Sequence, residues 1–215
     1  MEVAGCIIVA LAAYLLGSIP SGYLAGRAKG IDIRTVGSGN IGATNVFRIL
    51  GKTAGVLVML ADMAKGWLAC WGLAEAGLHF FGSQASDPDS ARVRFKIIAG
   101  IAAILGHNYT CWLKFKGGKG VATTAGVLLA LFPQAFLIGL AVWGLVLALT
   151  RYMSLASMTA ALSLPFAVWV CRGGPTLIGV AALLGALAIY KHKSNMQRLW
   201  HGTELRLGRK KTEEK

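Results

Sequence analysis

Two polar, glycine-rich stretches in an otherwise apolar chain carry residues able to do chemistry on phosphate. The first reads Gly37-Ser38-Gly39-Asn40-Ile41-Gly42-Ala43-Thr44-Asn45-Val46-Phe47-Arg48. Gly37, Gly39 and Gly42 permit φ > 0 and let main-chain N–H groups crowd around one point, as proteins do when they cradle phosphate. Ser38, Asn40, Thr44 and Asn45 add short polar groups, and Arg48 adds a planar fork that matches phosphate geometry. A flexible connector is the plain alternative for glycines alone. The second stretch, Lys114-Phe115-Lys116-Gly117-Gly118-Lys119-Gly120, again sets glycines among cations, with Lys116, Gly117, Gly118 and Lys119 at its centre.

Three further side chains stand out inside or beside apolar runs. Asp62 and Lys65 are three apart on one helical face and can pair. Charges within a membrane segment point either to a functional site, with Lys65 aimed at a phosphate, or to an ion pair that fixes helix packing. His107 precedes the second loop; it either takes a proton from an alcohol nucleophile or hydrogen-bonds the loop that follows. Gly17-Ser18-Ile19-Pro20-Ser21-Gly22 is a proline break that reads equally as a hydroxyl-lined rim beside the phosphate loop or as an ordinary kink.

The elements that must position these groups are membrane helices. Hydrophobic residues make up 55% of the 215, charged residues 14%, and mean hydropathy is +0.60, too little polar surface for an ordinary soluble domain. The net charge of +13 would suit nucleic acid, but the 22 Lys and Arg sit in short segments between apolar runs, which fits the positive-inside rule better. Cys6, Cys70, Cys111 and Cys171 lie far apart, without ligand spacing, and are expected as free thiols. The N-terminus lacks a basic n-region, so the first apolar run is expected to persist as an anchor.

In chain order the expected spans are Val3 to Ala25, Thr53 to Phe81, Ile97 to Leu113, two short spans from Val121 to Leu149 separated near Phe132-Pro133-Gln134, Tyr152 to Cys171, and Thr176 to Tyr190. This predicts an all-α integral membrane protein of seven transmembrane helices, some short, with the N-terminus outside and the C-terminus cytoplasmic. A re-entrant hairpin at Pro133 would satisfy the charges equally well. Residues 1–215 form a single domain in this reading, with 27–52, 113–120 and 191–215 as cytoplasmic segments and Gly82 to Ser90 as an external loop. The cytoplasmic side then holds five basic residues in 27–52, three in 114–119, Arg151 and eight in 191–215, against Arg92, Arg94, Lys96 and Arg172 outside. The tail is basic and amphipathic, expected against anionic headgroups, with Arg209 to Lys215 disordered.

With both loops and the tail on one face, the inventory is cations, main-chain donors and one well-placed histidine, with no acidic cluster to hold a metal. Phosphorylated substrates fit it, and apolar helix walls beside it suit an acyl chain. A His followed five residues later by Asp, common in lipid acyltransferases, is absent: the residues in that position are Gln84, Trp112, Gln197 and Arg206.

Gly17-Ser18-Ile19-Pro20-Ser21-Gly22, Gly37 to Asn45 with Arg48, Asp62-Met63-Ala64-Lys65-Gly66, Gly106-His107, Phe115 to Thr123 and Gly202-Thr203-Glu204 together resemble the PlsY family of bacterial acyl-phosphate-dependent glycerol-3-phosphate acyltransferases. Asn108-Tyr109-Thr110 departs from the family's aromatic-proline wording after the histidine. The resemblance implies that the sn-1 hydroxyl of glycerol 3-phosphate attacks acyl phosphate, releasing phosphate and lysophosphatidic acid at the cytoplasmic face of a bacterial inner membrane. It implies no cofactor, metal, nucleic acid or required protein partner, and membrane lipid as the surroundings. The chemistry suits the inventory: acyl phosphate is a mixed anhydride with a good leaving group, so the protein has to neutralise two phosphates and align a hydroxyl. Arg48, Lys116 and Lys119 would do the first, Ser38, Asn40 and Asn45 would orient, and main-chain N–H groups of Gly117 and Gly118 could hold the oxyanion. His107, or the substrate's own phosphate, would accept the proton. Asn195 and Glu204 would support the site structurally. A transporter of phosphorylated anions is the rival class; it calls for paired broken helices at the bilayer midplane, and these loops lie at one face.

Overall fold

The computed structural model describes residues 2–82 and 87–208, and all regular structure among them is helical. The disorder expected for Arg209 to Lys215 and part of the external loop, 83–86, lie outside the described residues. The chain divides into two compact units, Met1–Pro133 and Gln134–Lys215.

The first unit opens with α1 (Glu2–Ser18) and α2 (Ser21–Arg27), separated at Ile19 and Pro20. Proline lacks an N–H and crowds the preceding turn, so the break falls where the sequence places it. Val3, Ile7, Leu11 and Leu15, four apart, lie exposed along one face of α1, while Val9 and Ala13 are buried on another. Such a stripe is a surface for lipid rather than water.

After the first loop come α3 (Ala43–Leu50) and α4 (Lys52–Leu68), then a π-helical turn over Ala69–Leu73 and α5 (Ala74–Phe81). Gly51 between α3 and α4 has φ 91°, a left-handed setting that ends one helix and starts the next. Next follow α6 (Pro88–Asn108), a 3-10 turn Cys111–Leu113, and α7 (Val121–Leu131). The expected third span, Ile97 to Leu113, is therefore shifted: the helix starts at Pro88 and stops at Asn108. Asp87 explains the start, since its carboxylate caps the N–H groups of Asp89 at 3.1 Å and Ser90 at 3.2 Å with Pro88 in the first helical position. Arg92 and Arg94, the cations expected on the outer side, are paired with Glu75 at 3.1 Å and Glu2 at 2.6 Å.

Two helix pairs in this unit approach as closely as backbones allow. A Cβ on Gly17 of α1 would overlap the Ala103 carbonyl of α6, and one on Gly126 of α7 would overlap the Met63 carbonyl of α4. Membrane helices, lacking a hydrophobic drive toward each other, associate through such small-residue contacts.

The second unit holds most of α8 (Pro133–Thr150), with α9 (Met153–Val170), α10 (Pro175–Lys191) and α11 (Lys193–Trp200). The interruption expected near Phe132 to Gln134 falls between α7 and α8. α9 and α10 pack together, with Gly185 against the Ala161 backbone. Among the described residues, Glu2–Arg27, Lys52–Phe81, Pro133–Thr150 and Met153–Val170 are long and apolar enough to cross a membrane. A fifth results if α10 and α11, bent by 57°, count as one. Asp89, Arg92, Arg94 and Lys96 crowd the first half of α6, and α7 has only 11 residues, which keeps both off that set.

Candidate functional site

The first glycine-rich loop is organised from within by one amide. Asn45, on the first turn of α3 and 1% exposed, donates through Nδ2 to the carbonyls of Ile33 at 3.0 Å and Val36 at 3.1 Å. Its Oδ1 accepts from the Ser38 N–H at 2.9 Å. Asn45 thus spends its hydrogen-bonding capacity on loop backbone. Asn40 acts similarly on a smaller scale, its Oδ1 accepting from the Gly42 N–H at 2.8 Å. Gly37 and Gly39 take φ of 63° and 69°, as expected, but Gly42 does not: at φ −73° it is the extended residue that starts α3. Ser38 and Gly39 are exposed, whereas Thr44 and Arg48 lie half-buried on α3. Nearby, Arg34 chelates Asp32 and stacks over the Tyr23 ring at 4.8 Å; its hydrogen bonds hold the Asp32 carboxyl down at about 2.

The second loop is bound to the end of α6. The last carbonyls of a helix have no partner of their own. Here the Gly118 N–H donates to the His107 carbonyl at 3.0 Å, and the Gly117 N–H to that of Asn108 at 3.2 Å. The expectation that these two N–H groups hold an oxyanion is therefore corrected, because both are engaged in closing the helix. Lys114 and Phe115 sit consecutively at φ 54° and 59°, a left-handed pair that non-glycine residues rarely adopt. The turn is held by the Phe115 N–H to the Thr110 carbonyl at 2.9 Å and leaves Trp112, Phe115 and Lys116 exposed, with Lys119 half-buried.

Ile33, Ile41, Val46 and Val58 share a buried cluster with Leu113. The two loops, some seventy residues apart in sequence, are thereby brought to one end of the first unit. Beneath them lies a buried polar network. Lys65 Nζ is 2.8 Å from Asp62 Oδ1, 2.8 Å from the Ile19 carbonyl and 3.0 Å from His107 Nδ1, and Ser21 Oγ donates to Asp62 Oδ1 at 3.1 Å. Asp62, Lys65 and His107 are all 5% exposed or less. The pairing expected of Asp62 and Lys65 is present, and Lys65 is directed into the protein at the α1–α2 break. At that break Ser18 Oγ donates to the Gly106 carbonyl at 3.3 Å and Thr110 Oγ1 to the Ser18 carbonyl at 2.6 Å, stitching the end of α1 to the end of α6 and the residues just after it.

Asn195 and Glu204 meet each other in the second unit. Glu204 accepts from Ser154 Oγ, Asn195 Nδ2 and Arg198 Nε, each at 2.7 Å. Burial alone would raise its carboxyl, but these donors outweigh burial and hold it below the usual glutamate range. Ser21, Thr110, Ser154 and Arg198 were not singled out from sequence as site residues. Ser21 and Thr110 sit in quoted motifs or beside them; Ser154, fifty residues from Glu204, has no local signal.

Residues 7–202 match the family model for glycerol-3-phosphate acyltransferase. The chain belongs to the glycerol-3-phosphate acyltransferase family. That family, PlsY, is one of acyltransferase enzymes of phospholipid biosynthesis. A glycerol-3-phosphate acyltransferase of Geotalea daltonii is 43% identical over 198 residues, 92% of this chain and 95% of that one. Its counterpart in Geobacter sulfurreducens is 44% identical over 200 residues, 93% and 96% of the two chains. Crystal structures of PlsY, an integral membrane glycerol 3-phosphate acyltransferase, superpose with TM-scores of 0.82 for the glycerol 3-phosphate form and 0.80 for the lysophosphatidic acid form. Their sequence identities are 40% and 39%, covering 94% of this chain and 96% and 95% of theirs. With these relatives and its apolar helices, the chain is a multi-pass membrane protein.

Proposed function

We propose that this protein transfers the acyl group of acyl phosphate to the sn-1 hydroxyl of glycerol 3-phosphate, giving lysophosphatidic acid and inorganic phosphate. In that step the hydroxyl oxygen bonds to the acyl carbon, the bond from that carbon to the bridging phosphate oxygen breaks, and the hydroxyl proton passes to an acceptor. The observation that carries the proposal is the meeting, through Leu113 and its neighbours, of two glycine-rich loops bearing Arg48, Lys116 and Lys119. Two anionic substrates require two sets of cations, and the leaving group requires no metal. In this reading Ser38, Gly39, Thr44, Arg48, Lys116 and Lys119 contact substrate. Asn40, Gly42, Asn45, Gly117 and Gly118 shape the loops, and Asp62 and Lys65 position His107. Asn195 and Glu204 hold the tail.

We place the enzyme in a bacterial cytoplasmic membrane with seven crossings, the N-terminus outside, and the loops and C-terminus in the cytoplasm. Labelling of a Gln134→Cys variant by a membrane-impermeant maleimide from the outer face supports the crossing at Pro133; protection there, with labelling only after permeabilisation, opposes it. For the reaction, the test is product analysis with purified protein in detergent, glycerol 3-phosphate and a long-chain acyl phosphate. One phosphate released per lysophosphatidic acid, with the acyl group at sn-1, supports the proposal; an sn-2 product or no phosphate release overturns it.

A further inference from the structure

We infer that the cation-rich end of the second unit is a binding site for an anionic phospholipid, with the lipid phosphate at Arg151 and Arg206 and Lys193 of α11 adding to the attraction. Residues 134–208 contain six Lys and Arg but a single carboxylate, Glu204. That carboxylate is buried and taken up by Ser154, Asn195 and Arg198. Arg172 stands beyond the far end of α9, and Lys191 is half-buried at the end of α10. Arg151, Lys193 and Arg206 therefore lie on the surface with no carboxylate in 134–208 left to neutralise them. A field of one sign raises the local concentration of the opposite charge.

The two arginines are gathered by the backbone. Arg151, just past α8, has φ 62°, a setting that glycine usually fills at the end of a helix and that strains an arginine. Its carbonyl accepts from the Leu207 N–H at 2.8 Å. The next residue, Tyr152, accepts through its hydroxyl from Arg206 Nε at 3.0 Å, and the Arg206 guanidinium stacks 5.0 Å over the Tyr152 ring. Segments 54 residues apart thus present two guanidinium groups at one corner. With Nε fixed on Tyr152, the terminal nitrogens of Arg206 supply the paired donors that suit a phosphate.

Beside this corner α11 turns 57° from α10. Asn195 and Arg198 tie its inner face to Glu204, and through it to Ser154 at the start of α9. Met196 and Trp200, one turn apart and 40% and 89% exposed, face outward with Lys193, whose ammonium lies 5.2 Å from the Tyr190 ring. A tryptophan this exposed next to membrane helices belongs to the headgroup layer, where its apolar body and its N–H are both satisfied. Cations and aromatic residues on one short helix suit a lipid surface, whereas a soluble anion would require the cations alone. The contact with anionic headgroups expected for the tail is thereby given named partners.

The inference does not depend on the acyl-transfer reading. Purified protein in a neutral detergent is titrated with dioleoyl phosphatidylglycerol or dioleoyl phosphatidylcholine, and retained lipid is measured by native mass spectrometry. Phosphatidylglycerol is expected to bind about tenfold or more tightly than phosphatidylcholine, since each Lys or Arg near a lipid surface contributes about fivefold. On the same scale Lys193→Gln weakens phosphatidylglycerol about fivefold, and Arg151→Gln with Arg206→Gln about 25-fold. Arg172→Gln leaves binding unchanged. Arg151→Lys with Arg206→Lys keeps the charge and recovers most of the loss, which a merely structural role of the guanidinium groups would not allow. Should the arginine pair be needed for folding, as read by circular dichroism, Lys193→Gln decides, because its side chain touches only the Tyr190 ring among the described residues. Equal retention of the two lipids, wild-type affinity in Lys193→Gln, or a loss in Arg172→Gln overturns the inference. Displacement of the lipid by glycerol 3-phosphate, which would put it in the substrate site, or by inorganic phosphate, which would make the corner a site for a free anion, overturns it as well.

Discussion

Asp62→Ala is expected to destabilise the protein far more than removal of both partners of its ion pair. Asp62 and Lys65 have side chains 2% and 5% exposed and lie 2.8 Å apart, so deleting the carboxylate strands an ammonium in a desolvated site. Breaking a buried pair this way costs about 3–5 kcal/mol. The Ile19 carbonyl and His107 Nδ1 remain as neutral partners, which places the expected loss toward the lower end of that range. Ser21 Oγ loses its acceptor as well. Asp62→Asn keeps an oxygen for Ser21 and Lys65 and costs less, about 1.5–3 kcal/mol for weakened hydrogen bonds to a charge. Asp62→Leu combined with Lys65→Met removes both charges and is expected to fall nearer the wild type than Asp62→Ala, because no uncompensated charge stays buried. The assay is equilibrium unfolding in mixed micelles by titration with a denaturing detergent, followed by tryptophan fluorescence; Trp67 and Trp71 stack at 5.2 Å on the same helical run as the pair. An Asp62→Ala within about 1 kcal/mol of wild type, or a double variant whose loss equals the sum of the two single losses, refutes the reasoning.

Asn45→Leu deletes the three hydrogen bonds that fold residues 33–38 around α3. We expect a loss of about 1–3 kcal/mol and a raised KM for glycerol 3-phosphate, checked by thermal unfolding and saturation kinetics. Gly126→Val would drive a side chain into the Met63 carbonyl of α4; overpacking of this kind costs about 1–3 kcal/mol or more, read as a lower unfolding midpoint in detergent. Glu204, whose carboxyl is held low, contributes stability that is complete above the ordinary glutamate range and is lost as pH falls through its depressed value. Limited proteolysis of the tail should therefore quicken on acidification in the wild type, while Glu204→Gln should be quick throughout and much less pH-dependent.

The parts of this molecule that were legible in the sequence are those whose signal is local. Apolar runs gave the helices, Pro20 and Pro133 gave their interruptions, and the unusual density of glycine, cation and small polar residues gave both loops. What was not legible depends on which partner each group meets. Asn45 looked like a substrate ligand because its residue type suits phosphate, but its amide reaches backbone that only the folded loop presents. The Gly117 and Gly118 N–H groups looked available until α6 was seen to end at Asn108, which leaves two carbonyls for them to satisfy. That ending was obscured because hydropathy blurs a helix terminus, whereas the start at Pro88 was written in Asp87-Pro88, a capping signal that a charge-based topology reads only as polar loop. Lys65 could be paired with Asp62 from spacing alone, but its approach to Ile19 and His107 joins three helical segments.

The central claim is that acyl phosphate supplies the acyl group to glycerol 3-phosphate at the paired loops. The most direct measurement is lysophosphatidic acid formation by purified protein in micelles, with acyl phosphate and acyl-CoA of equal chain length as parallel donors. Product from acyl phosphate alone is the expected result; product from acyl-CoA alone, or from neither, would contradict it.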